Sequence, residues 1–502
     1  MTDPITARSV PVVAANPGER PAAVPSYQRD GLTAGIVHFG VGGFHRAHQA
    51  MFIDRMLTAG NGAGWAICGA GVMPTDVRMR DVLRAQQGMY TLVLRYPDGH
   101  EEARIIGSIV DFLYAPDDPE WLIEKLAAPE TRIVSLTITE GGYNIHAVTG
   151  SFDESNPAIR ADLKPGTSPA TVFGIVVEAL HRRRERSLRP FTIMSCDNIQ
   201  GNGRIARRSF TSFARLRDPE LADWIGDNVR FPNSMVDRIT PVTTPVDIQA
   251  VARIFGIHDE WPVVCEPFEQ WVLEDDFVDG RPAYETVGVQ VVADVEPYEL
   301  MKLRLLNGSH QALAYFAALA GYRYVHEAAQ DPDFAAFLQR YMVEEATPTL
   351  MPVPGIDLGE YRAQLIERFS NAYVQDTVAR LAAETSDRIP KFLLPVAVAQ
   401  LAAGRSVDLC AAIVASWARY AEGRADDGTP IEVVDRLHDE VRRAAANQID
   451  DPLSFLRLRD LFGDLVDQPA FTMPYLKALH SLHEHGARSV ITALAHRRPI
   501  AS

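Results

Sequence analysis

The chain has 502 residues, 47% hydrophobic and 23% charged, which is enough apolar material for a large core and, at roughly 150 residues per domain, length for two to four domains. That balance excludes disordered and collagen-like classes. Acidic side chains outnumber basic ones 65 to 49, a formal charge of -16, which repels nucleic-acid phosphates and anionic lipid, so neither is expected as a partner.

Residues 1–33 carry Pro11, Pro17, Pro21 and Pro25 and no continuous apolar stretch, so they are expected to form a loosely ordered arm and not a secretion signal. From Gly35 short apolar runs alternate with amphipathic stretches, as in parallel strands joined by helical crossovers. Strands are expected at Ile36 to Phe39, Trp65 to Cys68, Tyr90 to Arg95, Arg132 to Thr137 and Phe191 to Ser195, with Thr286 to Val292 closing this half. The arginine cluster Arg182 to Arg186 reads as a solvated helix end. After Pro297 the chain turns Ala- and Leu-rich with helical spacing, as in Leu300 to Ala320 and Val396 to Ala402, which places a domain boundary near Val295. Within the second half Pro348, Pro352, Pro354 and Gly355 mark an extended connection. The expected organisation is an α/β domain over 34–295 followed by a mostly helical domain over 296–502.

Cys68, Cys196, Cys265 and Cys410 lie far apart with no Cys-x-x-Cys pair, so no zinc knuckle or disulfide framework is expected and a reducing cytoplasm fits. His45 and His48 lack a carboxylate or cysteine partner nearby in sequence, and no metal site is expected. No window holds the ~18 apolar residues of a membrane span.

The run from Ile36 to Arg46, IVHFGVGGFHR, is a buried strand, a glycine turn and a helix start, the order of a Rossmann-type dinucleotide site. Gly40, Gly42 and Gly43 permit a tight turn and close approach of backbone to a pyrophosphate, whose charge then meets unpaired N–H groups and the positive end of a helix dipole. Phe44 opens that helix. His45 stands where the third glycine of the usual pattern would be. Arg46 either adds a cation near the phosphates or is an ordinary surface arginine. A ribose-binding acid belongs near the end of the second strand, where Asp76 is the nearest candidate. It is either a ribose ligand favouring NAD or a helix cap; Arg78 and Arg80 close by keep NADP open.

The second informative stretch runs from Glu299 to His310. On a regular helix with Lys302 as zero, Glu299 falls at about 60°, His310 at about 80° and Asn307 at about 140°, so four functional groups share a face that also carries Leu303 and Leu306. Buried polar groups there must be mutually satisfied or in use. Removing a hydride from an alcohol requires a base for the hydroxyl proton and donors for the developing alkoxide. Lys302 can be that base if its amine, ordinarily near ~10.4, is brought down by roughly two units through burial, and Glu299 can shuttle the proton outward. Asn198 follows an expected strand, where open α/β sheets place ligand groups, and its amide could complete an oxyanion pair with Asn307. Each has a bland alternative: a turn former or cap for the asparagines, a snorkelling surface residue for Lys302, a satisfied core residue for His310.

These residues, together with Thr137-Ile138-Thr139-Glu140-Gly141-Gly142-Tyr143, Ser195-Cys196-Asp197-Asn198 and Met235-Val236-Asp237-Arg238-Ile239, closely resemble the mannitol dehydrogenase family of long-chain, metal-independent polyol dehydrogenases, over Gly35 to about Pro395. The resemblance implies a Rossmann-type N-terminal domain, a mostly α-helical C-terminal domain and a substrate cleft between them. It implies Lys302 as general base, Asn198 and Asn307 as oxyanion donors, His310 as the residue orienting the substrate oxygen, and Asp237 and Arg380 as ligands of distal hydroxyls. Ala372 stands where relatives often carry proline, and Arg388 where a lysine is frequent near the substrate end, which bears on substrate choice. The implied reaction is reversible, NAD-dependent oxidation of D-mannitol or a D-arabinitol-like polyol to the 2-ketose by a cytoplasmic monomer. The alternatives are a fructuronate or tagaturonate reductase of the same family, and a catalytically silent dinucleotide sensor.

Overall fold

The computed structural model describes residues 4–6, 18–146 and 150–497, and the chain divides into two compact units, Met1–Val295 and Glu296–Ser502. The first unit is built on a five-stranded, all-parallel sheet in the order Ile109–Tyr114, Ile67–Gly71, Ile36–Phe39, Ile133–Leu136 and Thr192–Ser195. Helices cover both faces, so its inner strands are buried at every position without alternation, the polar His38 and Ser135 bonding to each other. On one face Leu122, Val176, Leu180 and Phe210 pack against Val37, Phe39 and Val134. On the other, Phe52, Ile53 and Met56 of the helix Gln49–Thr58 meet Ile36 and Ile67.

The register decides where chemistry can sit. Phe39 pairs with Ala70 and with Leu136, and Leu136 pairs with Ser195, so the residues that follow, Gly40, Gly71, Thr137 and Cys196, emerge along one sheet edge. The strand Ile36–Phe39 lies between its sequence successor and a later strand, which makes this edge a topological switch point, the usual ligand crevice of open α/β sheets.

Four expectations need correction. Tyr90–Arg95 is a strand but not part of the parallel sheet: it forms an antiparallel hairpin with Glu101–Ile106 in a separate four-stranded sheet. The cause is the Pro97-Asp98-Gly99 turn, closed by Tyr96 N donating to His100 O at 2.9 Å, a hairpin signal. The run Thr286 to Val292 is broken at Gly288, φ +100°, into a single helical turn Tyr284–Val287 and a short strand Gln290–Val292. Finally, the described part of the arm is pinned. Ile5 is buried beside Val93, Ile105 and Phe255, and Ala22–Ala23 pairs with Ala103–Arg104. Pro11 and Pro17 lie outside the described residues. Arg183, in the cluster read as a solvated helix end, is also buried, donating to the carbonyls of Leu126, Ala128, Thr131 and Arg189, whereas Arg182 and Arg186 do face out and pair with Glu120 and Glu124.

Among its described residues the regular elements of the second unit are all helices, joined by loops that carry two isolated bridges, Tyr324 with Thr377 and Arg424 with Pro430. Its centre is the helix Gly308–Leu319, buried at every position but Ala318 and packed among Pro332–Arg340, Val378–Ala382, Thr385–Phe392, Asp408–Tyr420 and Pro469–Ala495. The helix expected over Leu300 to Ala320 is there, but it is not uniform: Glu296–Met301 is α-helical, Lys302–Asn307 is a π-turn, and α-geometry resumes at Gly308.

Candidate active site

The glycine turn has the form its sequence requires. Gly40 has φ +90°, and a Cβ there would lie 2.1 Å from Thr137 O, so glycine is needed both for the left-handed torsion and for close approach to the neighbouring strand. Gly42 N donates to Gly40 O at 2.7 Å, and Gly42 itself is exposed. Around Gly43 the nearest obstruction to a Cβ is Thr240 at 3.6 Å. These features fit a cradle open to a bound phosphate. The helix that follows is short: Gly43–Ala47 ends at His48, φ −124° and ψ −95°, before Gln49–Thr58 continues. Any attraction for an anion therefore comes mainly from the first amides of the turn and little from a long helix dipole.

His45, in the place of a third glycine, is 1% exposed and stacks on His38 with ring centroids 3.4 Å apart. His38 in turn bonds Ser135 Oγ at 2.8 Å and Thr137 Oγ1 at 2.9 Å, and Thr137 Oγ1 donates to Gly40 O at 2.6 Å. Burial holds His38 down at about 3 and His45 well below the usual imidazole range, so two neutral rings form the floor of the turn. Phe44, half-buried, stacks on His48 at 4.9 Å.

Neither alternative offered for Arg46 describes it. The residue is 1% exposed, its guanidinium donates to Trp261 O and, at 3.4 Å, to Gly42 O, and it lies 5.2 Å from the Tyr90 ring. It braces the turn from beneath instead of facing phosphates, because its first-turn position points inward, toward the second sheet. Asp76 does lie just beyond the strand Ile67–Gly71, where a ribose ligand was expected, but its Oδ2 accepts from Val72 N at 3.0 Å and Met73 N at 2.9 Å. The carboxylate thus reaches back over the turn Pro74–Asp76 and makes no capping bond to the helix Val77–Ala85 that follows. Arg80 is held by Asp81 and by both carboxylate oxygens of Asp117, and Arg78 lies over the Trp261 ring at 4.2 Å.

Asn198 follows the strand Thr192–Ser195 and is exposed at the same sheet edge. Its loop is held from both sides. Asn202 Nδ2 donates to Asp197 O and Ser234 O at 2.9 and 2.8 Å. The Asp197 carboxylate accepts from Thr139 N at 2.8 Å, Ile138 N at 3.2 Å and Tyr143 OH at 2.7 Å. Thr139 has φ +63°, an uncommon torsion for a β-branched residue. Burial pushes the Asp197 carboxyl above its ordinary value, opposed by those donors. This network joins the motif Thr137 to Tyr143 to the residue preceding Asn198. Asp197 and Tyr143 stood in the quoted motifs without an assigned role, and their adjacency could only be seen in space. Asp237 ends the strand Ser234–Asp237 of a separate three-stranded sheet and is 5% exposed.

In the second unit Glu299, Lys302, Asn307 and His310 are all buried, on one continuous helical run. The π-turn changes their expected angles: an i→i+5 ladder rotates less per residue than an α-helix, so Asn307 comes closer to lying directly above Lys302 than about 140° would place it. Asn307 Nδ2 is buried with no hydrogen-bond partner, and His310 packs against Phe369 with centroids 4.6 Å apart. Arg380 and Arg388 are brought together, Arg388 Nη1 donating to Arg380 O at 3.1 Å and Leu381 O at 2.9 Å. Their helices pack on the one that carries His310. The Arg380 guanidinium, however, donates through two nitrogens to Asp376, each at 2.5 Å.

Comparison with known proteins agrees with both units. Residues 34–286 match the mannitol dehydrogenase Rossmann domain and residues 294–483 the mannitol dehydrogenase C-terminal domain. A mannitol 2-dehydrogenase of Emericella nidulans is 48% identical over 456 residues, 89% of this chain and 90% of the relative. One of Phaeosphaeria nodorum is 45% identical over 479 residues, 94% of this chain and 83% of the relative. Among solved structures, Pseudomonas fluorescens mannitol 2-dehydrogenase in ternary complex with NAD and D-mannitol superposes with a TM-score of 0.87 at 42% identity, covering 98% of this chain and 99% of that one. A substrate-free D-sorbitol dehydrogenase gives 0.88 at 38% identity, covering 97% and 100%. With both halves matched in order and nearly full length shared with these relatives, the chain belongs to the mannitol dehydrogenase family.

Proposed function

We propose that the protein is an NAD-dependent oxidoreductase that oxidises D-mannitol, or a polyol of matching configuration such as D-arabinitol, at C2 and reversibly gives the 2-ketose. The observation that carries the chemistry is the buried, unpartnered amide of Asn307 on the same π-turn as Lys302. Cofactor and substrate are supported by the relative in complex with NAD and D-mannitol, 42% identical across 98% of this chain.

Lys302 takes the proton of the C2 hydroxyl. Asn307 donates its amide to the oxygen as charge develops there, and Asn198 is assigned as the second donor; one such donor is worth about 2.7–4 kcal/mol of barrier. Glu299, one turn before Lys302, carries the proton onward, and His310, its ring held against Phe369, orients the hydroxyl. Asp237, Arg380 and Arg388 hold the distal hydroxyls. Gly40, Gly42 and Gly43 hold the dinucleotide, which supplies the hydride acceptor. Asp76, its carboxylate already turned onto two backbone amides, keeps one oxygen for a ribose hydroxyl. Because Arg80 is neutralised by two aspartates, NAD is favoured over NADP.

A uronate substrate is disfavoured because Asp376 compensates Arg380, leaving less charge for a substrate carboxylate. A silent sensor has no use for a buried donor without a partner, a state that costs stability.

Purified protein mixed with NAD and D-mannitol at alkaline pH, without added metal, is expected to form NADH. Lys302→Ala should lower turnover by about 10²- to 10⁴-fold while NAD still binds. Wild-type turnover in that variant would remove the assigned base; no turnover of any polyol by the parent protein would remove the reaction.

A further inference from the structure

The π-turn has a support that no catalytic assignment uses. Gly308 N donates to Leu303 O five residues back, and α-geometry resumes at Gly308. Where an i→i+5 ladder hands over to an i→i+4 ladder, one carbonyl is passed over, and a buried carbonyl needs a partner from elsewhere. Arg304 O occupies that place, and the hydroxyl of Tyr341 donates to it at 3.0 Å. The approach is made possible by glycine: a Cβ on Gly308 would lie 2.3 Å from the Tyr341 hydroxyl and 3.1 Å from its Cζ.

Tyr341 is itself fixed from outside the catalytic helix. It is 0% exposed and opens a second π-turn, Tyr341–Ala346. The far end of that turn is anchored by the carboxylate of Glu345, which accepts from Leu409 N and Cys410 N, each at 2.8 Å. Its backbone is held by Gln400 Nε2, which donates to Glu345 O. The Arg304 side chain reaches the segment just beyond, donating to Thr349 O. Burial raises the Tyr341 phenol well above its ordinary value, so the group stays a protonated donor at any working pH.

We infer that the Tyr341 hydroxyl is a positioning group for the reaction: by taking the passed-over Arg304 carbonyl it holds open the π-turn that sets the spacing of Lys302 and Asn307. The inference rests on the roles proposed for those two residues. Without the hydroxyl, the carbonyl is satisfied most simply by relaxation of the backbone toward an α-register, which rotates Asn307 away from Lys302. Gly308 then has a specific reason to be glycine, namely room for the phenol.

The test uses full-length Tyr341→Phe, Gly308→Ala and the double variant. Tyr341→Phe keeps the ring and should fold; hydrogen exchange of the peptide spanning residues 303–309 should accelerate in it while peptides of the first unit keep parent protection. Turnover of D-mannitol should fall by about 10- to 100-fold, the pH midpoint of turnover should move, and the dissociation constant for NAD should stay unchanged. Gly308→Ala should be worse than Tyr341→Phe, and the double variant should recover part of that loss, because removing the hydroxyl relieves the 2.3 Å clash and leaves the 3.1 Å approach to Cζ. Unchanged exchange at residues 303–309 in Tyr341→Phe overturns the structural role, whatever the substrate proves to be. Faster exchange with parent turnover and pH midpoint overturns the positioning role. A parent protein inactive on polyols instead refutes the proposed reaction, and the exchange result still decides what Tyr341 holds.

Discussion

Replacing Asn307 by leucine should move activity and stability in opposite directions. The side chain is 7% exposed and its Nδ2 has no partner, so folding removes water from a donor and returns nothing, a penalty of about 1–3 kcal/mol. Leucine has similar volume, no donor and better helix propensity, so the variant recovers much of that penalty. For a unit of about 200 residues, 1 kcal/mol corresponds to about 2–4 °C in Tm, and an increase of several degrees is expected by scanning calorimetry. Losing one oxyanion donor costs about 10²- to 10³-fold in kcat, read as NADH formation from D-mannitol. NAD affinity should hold, because the glycine turn lies in the other unit. The reasoning fails if turnover is retained, or if Tm drops, since a drop means that the amide is bonded in the resting protein and is not kept for the substrate.

Arg46→Lys keeps the charge but loses the fork; it should cost about 1.5–3 kcal/mol of stability by urea unfolding with little change in NAD affinity, and the opposite pattern would restore a phosphate-binding role. Gly40→Ala, which forces a Cβ to within 2.1 Å of Thr137 O, should abolish NAD binding measured by fluorescence; retained binding would deny that the turn is as tight as described. Burial pushes the Glu345 carboxyl from 4.5 up to about 7, so the native state holds that proton more tightly than the unfolded chain; the stabilisation is full at low pH and is lost as pH rises through about 7. The unfolding free energy of the parent should therefore decline relative to Glu345→Gln between about pH 5 and pH 8, and parallel pH profiles would contradict it.

Much of the fold was legible because periodicity and turn chemistry are local. The strand Ile36–Phe39 matches its apolar run residue for residue, and Ile133–Leu136 and Thr192–Ser195 fall inside theirs. The mixed sheet was not legible from the same signals. An apolar run such as Tyr90–Arg95 reports that a strand is buried, not which sheet buries it, and only the Pro-Asp-Gly turn behind it distinguished a hairpin from a crossover. Ile109–Tyr114, with Asp111 in its middle, escaped notice because the charge interrupts the run that would have marked it.

The site divides along a similar line. A candidate for meeting a ligand announces itself by being polar where its neighbours are apolar, as Lys302, Asn307 and His310 do between Leu303, Leu306 and Leu313. A residue that supports another can be read only once its partner is known. Asp197 is one acid among 65 acidic side chains until the N–H of Thr139 is found against it, and Tyr341 is one more core aromatic until a carbonyl is found without an amide. Gly308 was the available clue: a glycine inside a long apolar helix costs about 1 kcal/mol against alanine, and that cost is retained where a neighbour must come close. Helical angles taken at a uniform step could not convey the consequence, because the angle between Lys302 and Asn307 depends on a departure from that step, where a carbonyl is met by a side chain more than thirty residues further along the chain.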